Sequence, residues 1–558
     1  MKRKLRSNFE HGTSRWAVRR SQWKALGLSD EDMEKPKIAV VNTSSELSSC
    51  FSHLDGVAAK MKEAIRAAGG LPFEVRTAAP SDFITSAGHR GGYILPSRDL
   101  IVNDIEVAVE GALLDGMVCL ASCDKTTPGQ IMAAGRLNIP SIMVICGYQK
   151  SGEYQGKHVD IEEVFLQAGH VASGGISIRD LTGMSDNAVL GPGVCAGMGT
   201  ANSMHIVCEA LGMALPGSAP VLAMSPRMME YVRLAGERIV QMVWDDLKPR
   251  DILTREAFAN AVMTIMSLSG SINTVKHLQA IAMEAECEVD IYALFEQYAD
   301  KIPLLAAIRP NGEHLIEDLE AAGGTRAVMK RLERFMYPNA MTVTGQRIGE
   351  VLQNVVVQDE QIIRSAERPL SRRPSIVVVR GSLAPAGAIV KLGVGDKRTL
   401  QFSGEANIYH SRETALEGLA KGEIKPGQVV VLSGMGIKGG PGMAMASALV
   451  FALDGAGLAE HVAVVTDGQL SGLVNRGLVV GEISPEAAEP GAPLGLVQNG
   501  DRISIDVEKR VVDLDVPQAE LAARRERLQP FISPEEKGWL SIYQRSVQPL
   551  SRGAVLRK

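Results

Sequence analysis

Apolar residues follow two rhythms along this chain, and the change between them divides it. Between residues 36 and 147, short apolar runs alternate with stretches of helical spacing. "KIAVVN" (37–42) is a β-branched run entering a polar loop, which predicts a buried strand. "HLDGVAAKMKEAIRAAGG" (53–70) repeats apolar positions three and four apart and stops at a Gly pair, which predicts a helix. "DLIVNDIEVAVEGALLDG" (99–116) reads as a second helix, and "GMVCLAS" (116–122) and "IPSIMVICG" (139–147) as further strands. Strand and helix in succession argue a parallel α/β sheet, whose ligands gather where strands end and helices begin.

Residues 200–350 read mostly as helix, in "ANSMHIVCEALGMAL", "REAFANAVMTIMSLS", "TVKHLQAIAMEA" and "GTRAVMKRLERFM". The texture then changes. "RPLSRRPSIVVVRGSLAPAGAIVKLGV" (368–394) is a Pro- and Arg-rich linker followed by β-type runs, and "GQVVVLSGMG", "HVAVVTDG" and "DRISIDVEKRVVDLDV" are strands between Gly turns. The expected architecture is an N-terminal parallel α/β sheet domain with added helices (1–370) and a smaller, β-rich, barrel-like C-terminal domain (371–558).

Composition narrows the function classes. A chain of 558 residues exceeds one ordinary core, which agrees with two domains. With 59 basic and 64 acidic residues it carries no surplus that points to nucleic acid or an anionic membrane. The basic start "MKRKLRSNFEHGTSRWAVRR" lacks the apolar core of a secretory signal, and no run of 18 apolar residues spans a bilayer. Seven cysteines, an odd number at wide spacings, argue against a disulfide framework and fit a reducing cytoplasm.

Cys119, Cys146, Cys208 and Cys287 lie in periodic apolar runs and read as small hydrophobes. Cys50, Cys123 and Cys195 differ: "SSC", "SCDK" and "GPGVCAGMGTANSM" are loops of small residues beside predicted helices. Three thiolates without a fourth suit an iron–sulfur cluster with one iron open as a Lewis acid, although scattered cysteines also read as packing. Asp124 and Lys125 follow Cys123 directly, and Asp82 lies in a loop after a strand, in "APSDFITSAGHRGG". Carboxylates suit a hard cation such as Mg²⁺; a helix cap and a surface charge are the plainer alternative. Ser471, in "VVTDGQLSGLVNRG", sits in a Gly-flanked turn, where a serine also serves as a turn residue or cap. No G-x-G-x-x-G stands between a strand and a helix, which speaks against a nicotinamide dehydrogenase.

Taken together, "CDKTTPG", "GVCAGMGTANSM", "GSLAPAGAIVK", "VTDGQLSG" and "GEISPEAA" resemble, in order and spacing, the dihydroxy-acid/sugar-acid dehydratase family, which includes 6-phosphogluconate dehydratase. "GGYILPSRDLIVNDIE" and "IRPNGEHLIEDLEAAGG" extend the resemblance over nearly the whole chain. The resemblance implies an iron–sulfur cluster, [2Fe–2S] favoured over [4Fe–4S], on Cys50, Cys123 and Cys195. It implies Mg²⁺ or Mn²⁺ on Asp82, Asp124 and Lys125, the lysine as a carbamate, and Ser471 as the base. The implied reaction takes the C2 proton and the 3-hydroxyl from a 2,3-dihydroxy acid to give a 2-keto acid. A homodimer or homotetramer in the cytoplasm is implied as well.

Two positions depart from the family. Its "GPGMPE" block carries a metal-binding Glu 26 residues before the serine; here "GGPGMAMASA" puts Met445 there, and a thioether does not replace a carboxylate on Mg²⁺. Glu482 stands where the family has His. Glu482 or water completing a rearranged metal site, a weaker or different metal, and a protein that binds or senses such acids without turnover remain open. "KLRSNFEHGTSRW" and "SELSSCFSHL" are similar to the sugar-acid branch and "AGHRGGYILPSRDL" to the biosynthetic one. His89, Arg90 and Tyr93 read equally as polyol contacts or as surface. A sugar acid is favoured over 2,3-dihydroxyisovalerate.

Overall fold

Four strands carry the first half of the molecule: β1 (Lys37–Asn42), β2 (Leu71–Arg76), β3 (Gly116–Ala121) and β4 (Ser141–Ile145). The structure is a computed structural model describing residues 4–88, 91–171, 174–394, 400–440, 442–443, 446–470, 477–529, 531–533 and 535–556. The four strands pair in parallel in the order β2–β1–β3–β4. Every residue of β1, β3 and β4 is buried, because helices cover both faces, so these strands read as unbroken apolar runs. Helix Leu54–Ala67 connects β1 to β2, and helix Thr126–Leu137 connects β3 to β4. Helix Ile94–Val109 begins five residues earlier than the spacing predicted. Helix Thr200–Ala210 is buried at every position, and helix Arg255–Ser267 is buried from Ala257 onward. The short hairpin β5 (Gly152–Tyr154) and β6 (Lys157–Val159) has no counterpart in the sequence reading. Asp82, expected in a loop, is instead the first residue of the one-turn helix Asp82–Thr85.

The C-terminal region is a mixed eight-stranded sheet of β7 (Ile376–Val379), β8 (Gly387–Lys391), β9 (Gln401–Tyr409), β10 (Gln428–Leu432), β11 (Ala463–Thr466), β12 (Leu478–Ser484), β13 (Arg502–Asp506) and β14 (Val511–Leu514). β9 to β12 are parallel neighbours, and the outer strands are antiparallel. Just past β7, Arg380 bridges to Val511, and the Val512 amide donates to the Arg380 carbonyl at 2.8 Å. The two end strands therefore meet, and the sheet is nearly closed into a barrel, which leaves no open edge along that seam.

Strand alternation shows how the halves join. Val377, Val379, Val429, Val431, Ala463 and Val465 point into the barrel and form its own core. Their neighbours Ile376, Val378, Val430, Leu432 and Val464 point outward and pack into the core of the α/β half. A fully buried Val is worth about 1.5–3 kcal/mol, so this outer face is a strong adhesive between the halves. Among the described residues, no helix is long and apolar enough to cross a membrane.

Candidate active site

The site begins at the carboxyl end of β3. Ser122 follows the strand, and its hydroxyl donates to the Cys50 carbonyl at 2.7 Å. Cys123 then takes a left-handed backbone, φ 52°, which costs a non-glycine residue about 1–2 kcal/mol. The turn is held by the Thr126 and Thr127 hydroxyls, both donating to the Ser122 carbonyl. The turn leaves Cys123 and Asp124 on one cavity and Lys125 buried against Asp82, at the mouth of helix Thr126–Leu137.

Lys125 is wholly buried, and its Nζ lies 2.7 Å from Asp82 Oδ2 and 4.0 Å from Asp124 Oδ2. Burial works against its charge, but Asp82 and Asp124 outweigh that and raise its pKa. Burial, with Asp82 adding, pushes the Asp124 carboxyl up to about 7. The Cys123 thiol hydrogen-bonds that of Cys50, lowering the Cys50 pKa and raising its own. Burial, then the neighbouring Cys50 and Glu162, drives the Cys195 thiol well up.

Cys50, Cys123, Cys195, Asp82 and Asp124 line one cavity of about 70 Å³. That is space for several water-sized bodies in a place where a packed interior leaves almost none. Cys195 reaches it from the loop before helix Thr200–Ala210, where the Asn202 amide donates to the Cys195 and Gly197 carbonyls at 2.7 and 2.8 Å. Among the described residues, no three His, Cys, Asp or Glu side chains already stand in metal-ligand geometry. The donors converge on the cavity and leave space between them.

Glu482 occupies a neighbouring position. It sits at an irregularity of β12, with φ 57°, where the pairing with β8 shifts between Gly481 and Ser484. Its Oε1 accepts from Lys276 Nζ, and both side chains are 0% exposed. Lys276 also donates to Asn273, which lines the cavity. Burial lowers the Lys276 pKa to about 8, opposed by Glu482 and helped by the charge of Lys125. Sequence reasoning missed Lys276, a cation in a helix that is buried along nearly its whole length. It also missed Glu162, a buried carboxyl on the same cavity, hidden in "DIEEVF" where acidic residues read as helix-start charges.

Ser471, Met445, His89 and Arg90 lie outside the described residues. The chain leading to Ser471 is well anchored: the buried Asp467 carboxylate accepts from the Met435 and Ala487 amides at 2.8 and 2.9 Å. Gln469, two residues before Ser471, lines the cavity. Tyr93 is 38% exposed at the start of helix Ile94–Val109 and does not line it.

Residues 35–351 match the model of the dihydroxy-acid/6-phosphogluconate dehydratase N-terminal region, and residues 361–554 match that of its C-terminal region. The chain belongs to this dehydratase family. It is similar to the dihydroxy-acid dehydratase of Caldicellulosiruptor bescii, 41% identical over 97% of this chain and 98% of that one. The dihydroxy-acid dehydratases of Methanococcoides burtonii and Pyrococcus abyssi are each 41% identical, over 98% and 97% of this chain and 99% and 98% of theirs.

Membership in the dehydratase family implies an iron–sulfur cluster and Mg²⁺ in general, and the residues present fit both. Three thiols face one cavity, which suits a cluster with a free iron position. Asp82 Oδ1 is buried without a hydrogen-bond partner among the described residues, an oxygen placed for a hard cation.

Proposed function

We propose that this chain dehydrates a 2,3-dihydroxy carboxylic acid to a 2-keto-3-deoxy acid, with a sugar acid as the favoured substrate. The observation that carries the reading is the convergence of Cys50, Cys123, Cys195, Asp82 and Asp124 on one cavity, with Lys125 against Asp82. Cys50, Cys123 and Cys195 would hold the cluster, [2Fe–2S] in this reading. Asp82, Asp124 and a carbamylated Lys125 would hold Mg²⁺ or Mn²⁺, with Glu482, which is ion-paired to Lys276, as the further carboxylate of this reading. When bound, these groups supply Lewis-acid help to the departing 3-hydroxyl and acidify the C2 proton.

The chain's own residues do the rest. Ser471 takes the C2 proton, with its hydroxyl activated by neighbouring positive charge. Carbamylation turns Lys125 from a cation that repels a metal into an anion that binds one. Phe83 and Phe165 wall the cavity and exclude water, which strengthens every electrostatic contact inside. Ser81, Ser86, Thr200, Asn202 and Asn273 set polar groups into a lining that is otherwise mostly apolar, and these groups support a polyhydroxy acid. Free thiols at the site agree with a cytoplasmic protein, and the reading includes a homodimer or homotetramer.

A second reading has one residue in its favour. Met445 stands where the family places a metal-binding carboxylate, so a protein that binds or senses such acids without turnover is the alternative. One experiment separates the two: 2-keto acid formation by anaerobically purified protein, with and without Mg²⁺ or Mn²⁺. Its substrates are dihydroxyisovalerate, glycerate, arabinonate, xylonate, gluconate and galactonate. Metal-dependent product from an aldonate supports the proposal, and product from dihydroxyisovalerate alone moves the substrate. No product from cluster-loaded protein rejects the enzyme reading.

A further inference from the structure

Glu162 has no part in the mechanism above, yet it is a buried carboxyl on the wall of the cavity. It lies in the first turn of helix Ile161–Ala168, just after Asp160, whose carboxylate caps that helix by accepting from the Glu163 amide at 2.8 Å. The cap is therefore already supplied, and Glu162 is not needed for it. The residue is 4% exposed, lines the cavity beside Cys123 and Cys195, and its Oε2 has no hydrogen-bond partner among the described residues. A buried unpartnered carboxyl oxygen is costly, and a fold tolerates that cost where a ligand satisfies the oxygen.

The opposite wall is shaped to admit it. A Cβ at Gly197 would stand 1.9 Å from Glu162 Oε2, and one at Gly199 would stand 2.5 Å from Oε1. Two glycines flanking Met198 thus leave the space into which this carboxyl projects. A side chain at either place would push the carboxyl out of this position.

We propose that Glu162 is a specificity-determining residue whose carboxyl group hydrogen-bonds a hydroxyl of a polyhydroxy acid seated in the cavity. The inference deepens the sugar-acid reading and rests on it. Burial, then Asp160 and Asp124, pushes the Glu162 pKa well up. A hydroxyl both donates and accepts, and so it satisfies the carboxyl in either form. An alkyl group in the same place satisfies neither and leaves the carboxyl unpaired. Sites built to bond a substrate hydroxyl reject analogues lacking it far more strongly than apolar pockets reject an added hydroxyl.

The test compares wild type, Glu162→Ala and Glu162→Gln, all cluster-loaded, with iron and sulfide content measured on each. The readout is the ratio of kcat/KM for the best aldonate to that for dihydroxyisovalerate. Expected is a fall of about 10- to 100-fold in this ratio for Glu162→Ala, carried mainly by KM, with most of it recovered in Glu162→Gln, which keeps a donor. An unchanged ratio in both variants overturns the proposal, as does an equal loss on both substrates at wild-type cluster content, the mark of a merely structural role. A wild type that dehydrates dihydroxyisovalerate but no aldonate refutes the sugar-acid reading itself and removes the role of Glu162 with it; that result is read before any variant is made.

Discussion

Replacing Lys276 with Met tests how a buried charge bridges the two halves of the molecule. Lys276 belongs to helix Asn273–Glu284 of the α/β half, and Glu482 to β12 of the barrel. Their contact is fully buried on both sides. Formation of such a pair from two solvated ions brings little net stability, because desolvation cancels most of the attraction. Removal of one member is another matter. Glu482 Oε2 has no hydrogen-bond partner among the described residues, so without Lys276 the carboxylate loses its one ionic contact. An uncompensated buried charge of this kind costs about 3–5 kcal/mol. Met keeps most of the volume of the lysine stem, so packing contributes little to the loss. The assay is urea unfolding of wild type, Lys276→Met, Glu482→Leu and the double variant. The single Lys276→Met is expected to lose about 3–5 kcal/mol, and the double variant to lie nearer wild type, with a coupling of at least about 2 kcal/mol. A coupling below about 0.5 kcal/mol, as for independent sites, would refute the argument.

Asp82→Asn leaves the buried Lys125 with Asp124 at 4.0 Å as its remaining carboxylate in reach, and a stability loss of about 1–3 kcal/mol is expected in urea unfolding of metal-free protein. Gly197→Ala places a Cβ 1.9 Å from Glu162 Oε2 and is expected to cost about 1–3 kcal/mol and to narrow the cavity, read as a lower thermal midpoint and lower iron uptake. Burial pushes His205 down to about 3 from 6.5, so the folded chain binds fewer protons than the unfolded one across that window. Its contribution therefore weakens stability as pH falls from about 6.5 toward 3, by up to about 1.4 kcal/mol per pH unit, and His205→Gln is expected to flatten the slope of stability against pH there. Cys50→Ser is expected to drop iron bound after anaerobic reconstitution to background, by visible absorbance and iron assay; wild-type iron content would remove Cys50 from the cluster.

Much of this architecture was legible because local pattern and global packing agree. β1, β3 and β4 are runs of apolar residues because helices cover both faces, and the sequence showed the runs without needing to show the helices. β9 was not read: its nine residues "QFSGEANIY" are half exposed and polar, and pairing with β10 and β13, not side-chain burial, makes them a strand. β12 was hidden differently. "LVVGEIS" carries a Gly and a Glu where a core strand expects apolar residues, and the bulge at Glu482 is why they are there. In the site, the thiols and acids at 50, 82, 123, 124 and 195 were readable as residue types beside turns. Lys276 and Glu162 were not, since their meaning lies in what faces them across the fold, more than 200 positions away for Lys276 and across a glycine loop for Glu162.

The distribution of buried charge supplies an argument that no single motif does. Lys125, Lys276, Glu162 and Glu482 are all enclosed, and each lies on or next to one cavity. Other buried ionisable groups, such as Lys37, Glu209, Lys391 and Glu486, do not line this cavity, which makes the grouping of these four a local feature. Gathering them in one place shifts several protonation equilibria together, which is how a site prepares to bind metal and move protons at neutral pH. The two halves contribute unequally to this. The α/β half supplies the thiols, Asp82, Asp124, Lys125 and Glu162, while the barrel supplies Glu482, Gln469 and the chain that leads to Ser471. The outward-facing valines of β10 and β11 that glue barrel to helices therefore also set the distance between the two donor sets. On this argument the large buried seam is the means by which chemistry from two separate stretches of chain is held in one register.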